Sequence, residues 1–416
     1  MSLNPKSAIK NPKSKLVSLL LALALLLPHG IVRADGITVT ANDADYAFAQ
    51  QMTFHIAARS DTDIKSAVVV FRSGNGPEHR SQAAFAPGKT IDITHVQQLT
   101  GGVLPPFNQV TFWWELSDAA GRTQSTPHQT IDYRDNRFTW QETAEGNVHV
   151  LTYSNDAAYA RSALSEARAA LVRVNGELAA PLPPRVDVYL YASSDDLQSA
   201  LLLARRDWQG GQARPDLGVV VAAIPPGQEA LAQMKRDIPH ELTHLLVFQA
   251  TGPGYVRIPR WLDEGLASAN EELAQPAYQL ALEAAFRNQQ LIPLETLCAP
   301  FPADAGLAQL AYAQSQSFVQ FLRNRDPDAV RRLLGAYAGG ATCSGGVEQA
   351  MGSTLGALEL AWRASLGPNG AWLALIDSVG GWIVLAVLVS LALIPLAFAR
   401  CKPPLRKRKA QNIIRE

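Results

Sequence analysis

Charge of a single sign is what this chain lacks most plainly: 37 Lys and Arg balance 37 Asp and Glu across 416 residues. Without a basic surplus there is no electrostatic footprint for nucleic acid, and without an acidic one there is no solvating tail. Cysteine is nearly absent. Its three copies are Cys298, Cys343 and Cys401, so the strand-rich region that precedes them cannot carry the inter-sheet disulfide of an antibody domain. No internal repeat is present, which excludes a solenoid. Two apolar stretches lack charge altogether, and both lie near the ends.

The first runs from Leu16 to Leu27, behind Lys6, Lys10, Lys13 and Lys15 and ahead of Pro28. Its twelve residues are too few to span a bilayer comfortably. Val32-Arg33-Ala34 sets small residues at positions minus three and minus one of a cleavage point, so residues 1–34 read as a secretory signal peptide. The second stretch, Val379 to Ala399, holds 21 residues. At about 1.5 Å per residue it crosses a hydrocarbon core of about 30 Å. Arg400, Lys402, Arg406, Lys407, Arg408 and Lys409 follow it, whereas Arg363 is the sole cation in the twenty residues before it. The positive-inside rule makes 379–399 one C-terminal transmembrane helix and 400–416 a basic cytoplasmic tail. The body between the ends then faces outward, where Cys298 and Cys343 can form one disulfide or stay as two thiols.

Within that body, residues 35–135 show short strands at 37–40, 52–58, 67–72, 90–93 and 110–116, separated by polar and glycine-rich breaks. About a hundred residues of this pattern predict an immunoglobulin-like β-sandwich. Trp113-Trp114 on the last strand is expected to give one core and one surface aromatic. From 136 to 367 the pattern becomes α+β. A hairpin of 138–141 and 148–153 leads to a helix over 157–178, strands over 186–191 and 217–222, and then mostly helix.

Residues 240–244 read His-Glu-Leu-Thr-His. At about 100° per residue, His244 lies about 40° round a helix from His240 and Glu241 about 100°, so the three share one face. Two neutral imidazoles one turn apart can grip one metal ion, with the glutamate beside it. Turn chemistry at Thr251-Gly252-Pro253-Gly254 then precedes a second helix, with Pro259 at N1 and an end near Leu273. That helix offers Glu264, twenty positions after His244, as a third donor. Pro239 directly precedes the first histidine, so the metal helix either starts there with Asp237 as N-cap or kinks. The other histidines, His29, His55, His79, His95, His128 and His149, have no ligand spacing.

With Trp261-Leu262-x-Glu264-Gly265-x-Ala267 added, the pattern resembles the gluzincins, zinc peptidases whose third ligand is a glutamate, and most closely the bacterial peptidase MA-like family. The resemblance is specific over 218–270 and looser over 137–367. It implies a zincin-like metallopeptidase domain over 136–367, with Zn2+ on His240, His244 and Glu264 and a coordination position left for water. Glu241 would be the general base of peptide hydrolysis without a covalent intermediate. By the same resemblance Tyr312 is the candidate donor to the oxyanion; a packed core tyrosine is the other reading. The strand over 217–222 would border the cleft and hold an extended peptide, although its uniform apolar character suits a buried core strand equally. Where thermolysin-like enzymes carry an aspartate after the ligand this chain has Ser268, so the motif identifies no partner to orient a ligand histidine. Asp263 is either an orienting group or a helix-surface charge, and Arg260 either a binder of a substrate carboxylate or another surface charge. The expectation is a single-pass, outward-facing zinc metallopeptidase acting on peptides or proteins. The competing one is a cell-surface adhesion or scaffold protein with a non-catalytic structural zinc.

Overall fold

The computed structural model describes residues 36–99, 104, 106–203 and 211–367. The expected signal peptide, transmembrane helix and cytoplasmic tail lie outside these residues. Among the described residues no helix is long and apolar enough to cross a membrane. The chain divides into two compact units, Met1–Arg137 and Phe138–Glu416.

The first unit is β-rich. Strands β1 (Thr38–Ala47), β2 (Gln51–Ser73), β3 (His79–Gln82), β4 (Gly88–Gln98), β5 (Asn108–Asp118), β6 (Thr123–Ser125) and β7 (Gln129–Tyr133) form one connected antiparallel sheet. Its spine is β2, which pairs with β1 and β4 along its first half and with β3 and β5 along its second. Two strands were expected here, with a break at the polar run Arg59 to Asp63. The run instead stays extended, and the pairing register shifts between Arg59 and Ile64 and between Ile64 and Ser66. Such irregularities bend a strand without ending it. Phe54 from the first half meets Phe71 from the second at 5.3 Å and Phe112 of β5 at 5.4 Å between ring centroids. The sheet therefore closes over its own apolar face. Trp113 and Trp114 are both buried, contrary to the expectation of one surface aromatic. Trp114 shares the face of Phe112, while Trp113 points the other way and is covered by His128, stacked at 4.1 Å.

The second unit contains a five-stranded sheet of β8 (Gln141–Glu145), β9 (Val148–Thr152), β10 (Val186–Tyr191), β11 (Gly211–Arg214) and β12 (Val219–Ala223), in the order β11-β12-β10-β9-β8. The three inner strands run parallel and the two edges antiparallel to them. Helix α1 (Ala157–Leu178) crosses from β9 to β10, and α2 (Ser194–Leu203) follows β10. The Asp156 side chain caps α1 by accepting from the N–H groups of Ala158 and Tyr159. An apolar stripe from Tyr159 through Ala163, Leu164, Ala167, Leu171 and Val174 to Leu178 buries one face of the helix. Of the two readings of strand 217–222, cleft border and buried core strand, its place fits the second: it corresponds to β12, an inner strand with Val219 to Ala222 buried, and β11 lies outside it. A strand covered on both sides reads as continuous apolar sequence, and the four residues of β11 are too few to announce themselves.

Among the described residues seven more helices follow: α3 (Ala230–Thr251), α4 (Arg260–Ala269), α5 (Pro276–Arg287), α6 (Ala305–Arg325), α7 (Ala329–Ala338), α8 (Cys343–Met351) and α9 (Leu355–Ser365). One apolar core joins them to the sheet. Met234, Ile238, Leu242 and Leu245 of α3 lie in it with Val188 and Val220 of the strands and Trp261 of α4. Cys298 and Cys343 form a disulfide that ties a short 3-10 turn, Thr296–Cys298, to the start of α8.

On the outer face of the first unit, His55 bridges two strands. Its Nδ1 lies 2.9 Å from Asp43 on β1 and its Nε2 2.8 Å from Asp92 on β4. Hydrogen bonds to Asp43 and then Asp92 raise its pKa above the ordinary histidine value. A raised folded value means stability that is fully present below the unfolded value of about 6.5 and lost as pH climbs through the folded one. Calorimetry of the full chain is thus expected to show the melting of this unit falling as pH is raised from about 6 to about 9. His55→Gln should flatten that dependence, and an unchanged slope in the variant would count against the bridge.

Candidate metal centre

Helix α3 runs unbroken from Ala230 to Thr251 with Pro239 inside it, so it does not begin at an Asp237 N-cap. A proline at this position orphans the carbonyl one turn earlier. That carbonyl belongs to Lys235, and it accepts instead from the Glu272 N–H at 2.9 Å. The missing helix bond thus becomes a tether for the segment that follows α4. Pro259 is the N-cap of α4 rather than its first residue, and the helix stops at Ala269 rather than near Leu273. Directly after Glu264, a Cβ on Gly265 would stand 2.5 Å from the Ser315 carbonyl oxygen of α6. Glycine here allows the two helices to meet backbone to backbone.

These elements bring His240, His244 and Glu264 together. Among the described residues this is the one group whose His, Cys, Asp or Glu donor atoms converge as a metal site requires, all within 4.8 Å of one another. His240 Nε2 is 3.3 Å from Glu264 Oε2, and His244 Nε2 is 3.6 Å from the same oxygen. Four donors placed tetrahedrally at about 2.0–2.1 Å from zinc stand roughly 3.3 Å apart, so the spacing fits. The buried Oε2 also has no hydrogen-bond donor of its own. An orphaned carboxylate oxygen facing two imidazole nitrogens is what a cation would satisfy.

The far side of each imidazole is held. His240 Nδ1 lies 3.1 Å from Glu271 Oε1, and His244 Nδ1 lies 2.9 Å from Asp263 Oδ1. A carboxylate on Nδ1 takes the ring's N–H and leaves Nε2 as the free donor. Asp263 is accordingly a buried orienting group and no surface charge; its second oxygen accepts from the Tyr255 hydroxyl at 3.0 Å. Glu271 is itself steadied by the Gln275 side-chain amide at 2.7 Å. Arg260 places Nη2 2.6 Å from Glu264 Oε1, which engages one oxygen of that carboxylate and leaves Oε2 to the histidines. Its partners in the structure are thus the carboxylates of Glu264 and, at 3.6 Å, Asp263.

Electrostatics agree with a cation site. Burial works against charge on His240, yet its contacts with Glu264 and Glu271 outweigh this and raise it to about 10. His244 is likewise raised, against burial, by Asp263 and Glu264. A pocket that draws protons onto two imidazoles, one half-buried and one buried, wants positive charge, and one divalent ion answers that want with both rings neutral. Burial pushes the Glu241 carboxyl up to about 7. Tyr312, on α6, is close as well as packed: its ring centroid is 6.5 Å from that of His240, 6.2 Å from Tyr278 and 5.1 Å from Phe301. None of the remaining described histidines joins the group. His55, His95 and His149 bond to Asp43 and Asp92, Ser81, and Glu142 respectively, while His79 stacks on Phe71 and His128 on Trp113. Glu271 is the residue that motif reasoning missed. The signal that could have found it is Pro239, whose presence inside a helix demands an outside donor for the carbonyl of Lys235.

A His-x-x-x-His helix, a glutamate from the next helix and carboxylates behind both rings define a gluzincin-like metallopeptidase. The sequence profile of the Peptidase MA superfamily matches residues 166–368, which lie within the second unit. A comparison with curated proteins gives no match. Solved structures similar to the chain include an M1 zinc metallopeptidase from Deinococcus radiodurans, at 12% identity and TM-score 0.34, covering 79% of this chain and 94% of that one. An aminopeptidase N family protein from Idiomarina loihiensis is similar at 11% identity and TM-score 0.36, over 78% of this chain and 75% of that one. OgpA from Akkermansia muciniphila, solved with an O-glycopeptide, is similar at 11% identity and TM-score 0.19 over 24% of this chain; the match spans 32% of OgpA.

Asp263→Ala and Glu271→Ala are each expected to weaken zinc binding about 10–100-fold in a chelator competition, the usual effect of removing a partner behind a ligand histidine. Unchanged affinity in both would contradict the bracing described above.

Proposed function

We propose that the chain is a membrane-anchored, outward-facing zinc metallopeptidase that hydrolyses peptide bonds of extracytoplasmic proteins or peptides. The observation that carries this reading is the set of three converging donors with the buried Glu241 between two of them. Structural zinc sites are closed by four protein ligands and have no use for a base beside the ion, which disfavours an adhesion or scaffold role. When bound, zinc supplies a Lewis acid and a water whose pKa falls to about 7. Glu241 takes a proton from the attacking water and hands it to the leaving amine; a carboxyl that burial lifts to about 7 suits both transfers near neutral pH. The Tyr312 hydroxyl donates to the oxygen on which charge develops. Arg260, Asp263 and Glu271 hold the donors in place while this happens.

Placement outside the membrane is supported by the charge asymmetry around 379–399 and by the Cys298–Cys343 disulfide, a bond that persists in oxidising compartments. The first unit is proposed as an immunoglobulin-like sandwich over 35–135 that positions the peptidase or binds its substrate.

Glu241→Gln is expected to keep zinc and to lower cleavage of a mixed peptide library by about 10²–10⁴-fold. Full turnover in that variant would exclude the mechanism. Tyr312→Phe should reduce kcat by about 10²–10³ with KM little altered, as removal of an oxyanion donor does. A change confined to KM would instead make Tyr312 a packing residue.

A further inference from the structure

We propose that an apolar groove between α5 and the end of α9 is the docking site of this chain's own segment Ala371–Ile376, seated through Trp372. Of the 12 residues of helix α5 only Ala285 is buried, while Leu282 and Phe286 are half-buried against the core. Leu282, Phe286 and Leu366 line a cavity of about 230 Å³, with Glu283 and Arg287 beside it. Sites that take whole small molecules begin at about 300 Å³, so this volume suits a single large side chain better than a free ligand.

The occupant follows from where the chain goes next. Gly367, the last described residue, stands at the groove, since a Cβ on it would lie 3.8 Å from the Phe286 ring. Pro368-Asn369-Gly370 comes immediately after, and this is strong turn chemistry. Then come Ala371-Trp372-Leu373-Ala374-Leu375-Ile376, with no charged side chain among them. Trp372 is five positions beyond Gly367, a reach of at most about 18 Å, which is enough to return to the groove. A tethered segment also meets the groove at a far higher effective concentration than a second copy or a free partner does. Docking here goes beyond the peptidase reading and does not depend on it. Its consequence would reach the metal centre, because α5 also carries Tyr278, stacked on Tyr312 with ring planes 9° apart. The stretch just ahead of the expected membrane helix would thereby steady the helix that borders the site.

The test uses the full chain with photoreactive benzoylphenylalanine in place of the exposed Arg287. After irradiation, cross-linked peptides are mapped by mass spectrometry, with isotope-labelled and unlabelled chains mixed to separate links within one chain from links between two. The expected result is a cross-link from position 287 to 371–376 of the same chain, reduced several-fold by Trp372→Ser and unchanged by Trp382→Ser. Both substitutions lie outside the described body, and a matching circular dichroism spectrum checks that the body is intact. Absence of a link to 371–376, a link to a second copy or another protein, or equal loss in both tryptophan variants would overturn the proposal. None of these readouts requires zinc or activity, so failure here is separate from failure of the peptidase reading.

Discussion

Two contacts, from His240 Nδ1 to Glu271 and from His244 Nδ1 to Asp263, govern the metal centre. They fix which nitrogen of each ring is free and aim both at a single carboxylate oxygen of Glu264. Everything around them holds three chain segments in register: α3 with the histidines, α4 with Asp263 and Glu264, and the turn beyond α4 with Glu271. The sheet contributes by anchoring α3, whose Ile238, Leu242 and Leu245 sit in the common core on the side away from the donors. Two backbone features tighten the arrangement. Pro239 releases the Lys235 carbonyl to the Glu272 N–H, and Gly265 lets α4 settle against the Ser315 carbonyl of α6.

Such a cluster is unfavourable without a cation. Glu241, Asp263 and Glu264 are all buried around two imidazoles, and burying that much carboxylate stabilises nothing unless positive charge accompanies it. Arg260 supplies one such charge on Glu264 Oε1. The remainder must come from protons on the rings or from a metal ion. Metal bound by these donors would link to folding of the second unit, since a site of this kind does not exist in the unfolded chain. The same low-dielectric setting lifts Glu241 toward neutrality, so the energetic demand of the site and its capacity for proton transfer have one origin.

What the sequence made legible is what depends on short, regular spacing. The His240–His244 pair and its glutamate follow from helical geometry and one turn. Helix 157–178 and strand 186–191 occur at the expected bounds because their periodicity is uninterrupted and Asp156 caps the helix. What escaped depends on partners distant in sequence. Pro239 locally predicts a helix start or a kink, and the Lys235 carbonyl that it leaves without a helix bond accepts from the Glu272 N–H, 37 positions away. Glu271 lies past the end of α4, where no periodic rule reaches. In the first unit, Arg59 to Asp63 is polar enough to read as a loop, yet a long strand can carry polar residues through a bend. One of Trp113 and Trp114 was expected at the surface, yet both are buried, because His128 from the connection between β6 and β7 covers Trp113.

The central claim is that carboxylate-held imidazoles direct Nε2 of His240, Nε2 of His244 and one oxygen of Glu264 at a zinc ion. X-ray absorption at the zinc edge of the purified full-length protein tests it most directly. The account predicts one zinc per chain, with scattering from two imidazoles at about 2.0–2.1 Å and from oxygen at about 2.0–2.2 Å. A protein that retains no zinc, or whose zinc shows sulfur or no imidazole in its shell, would contradict it.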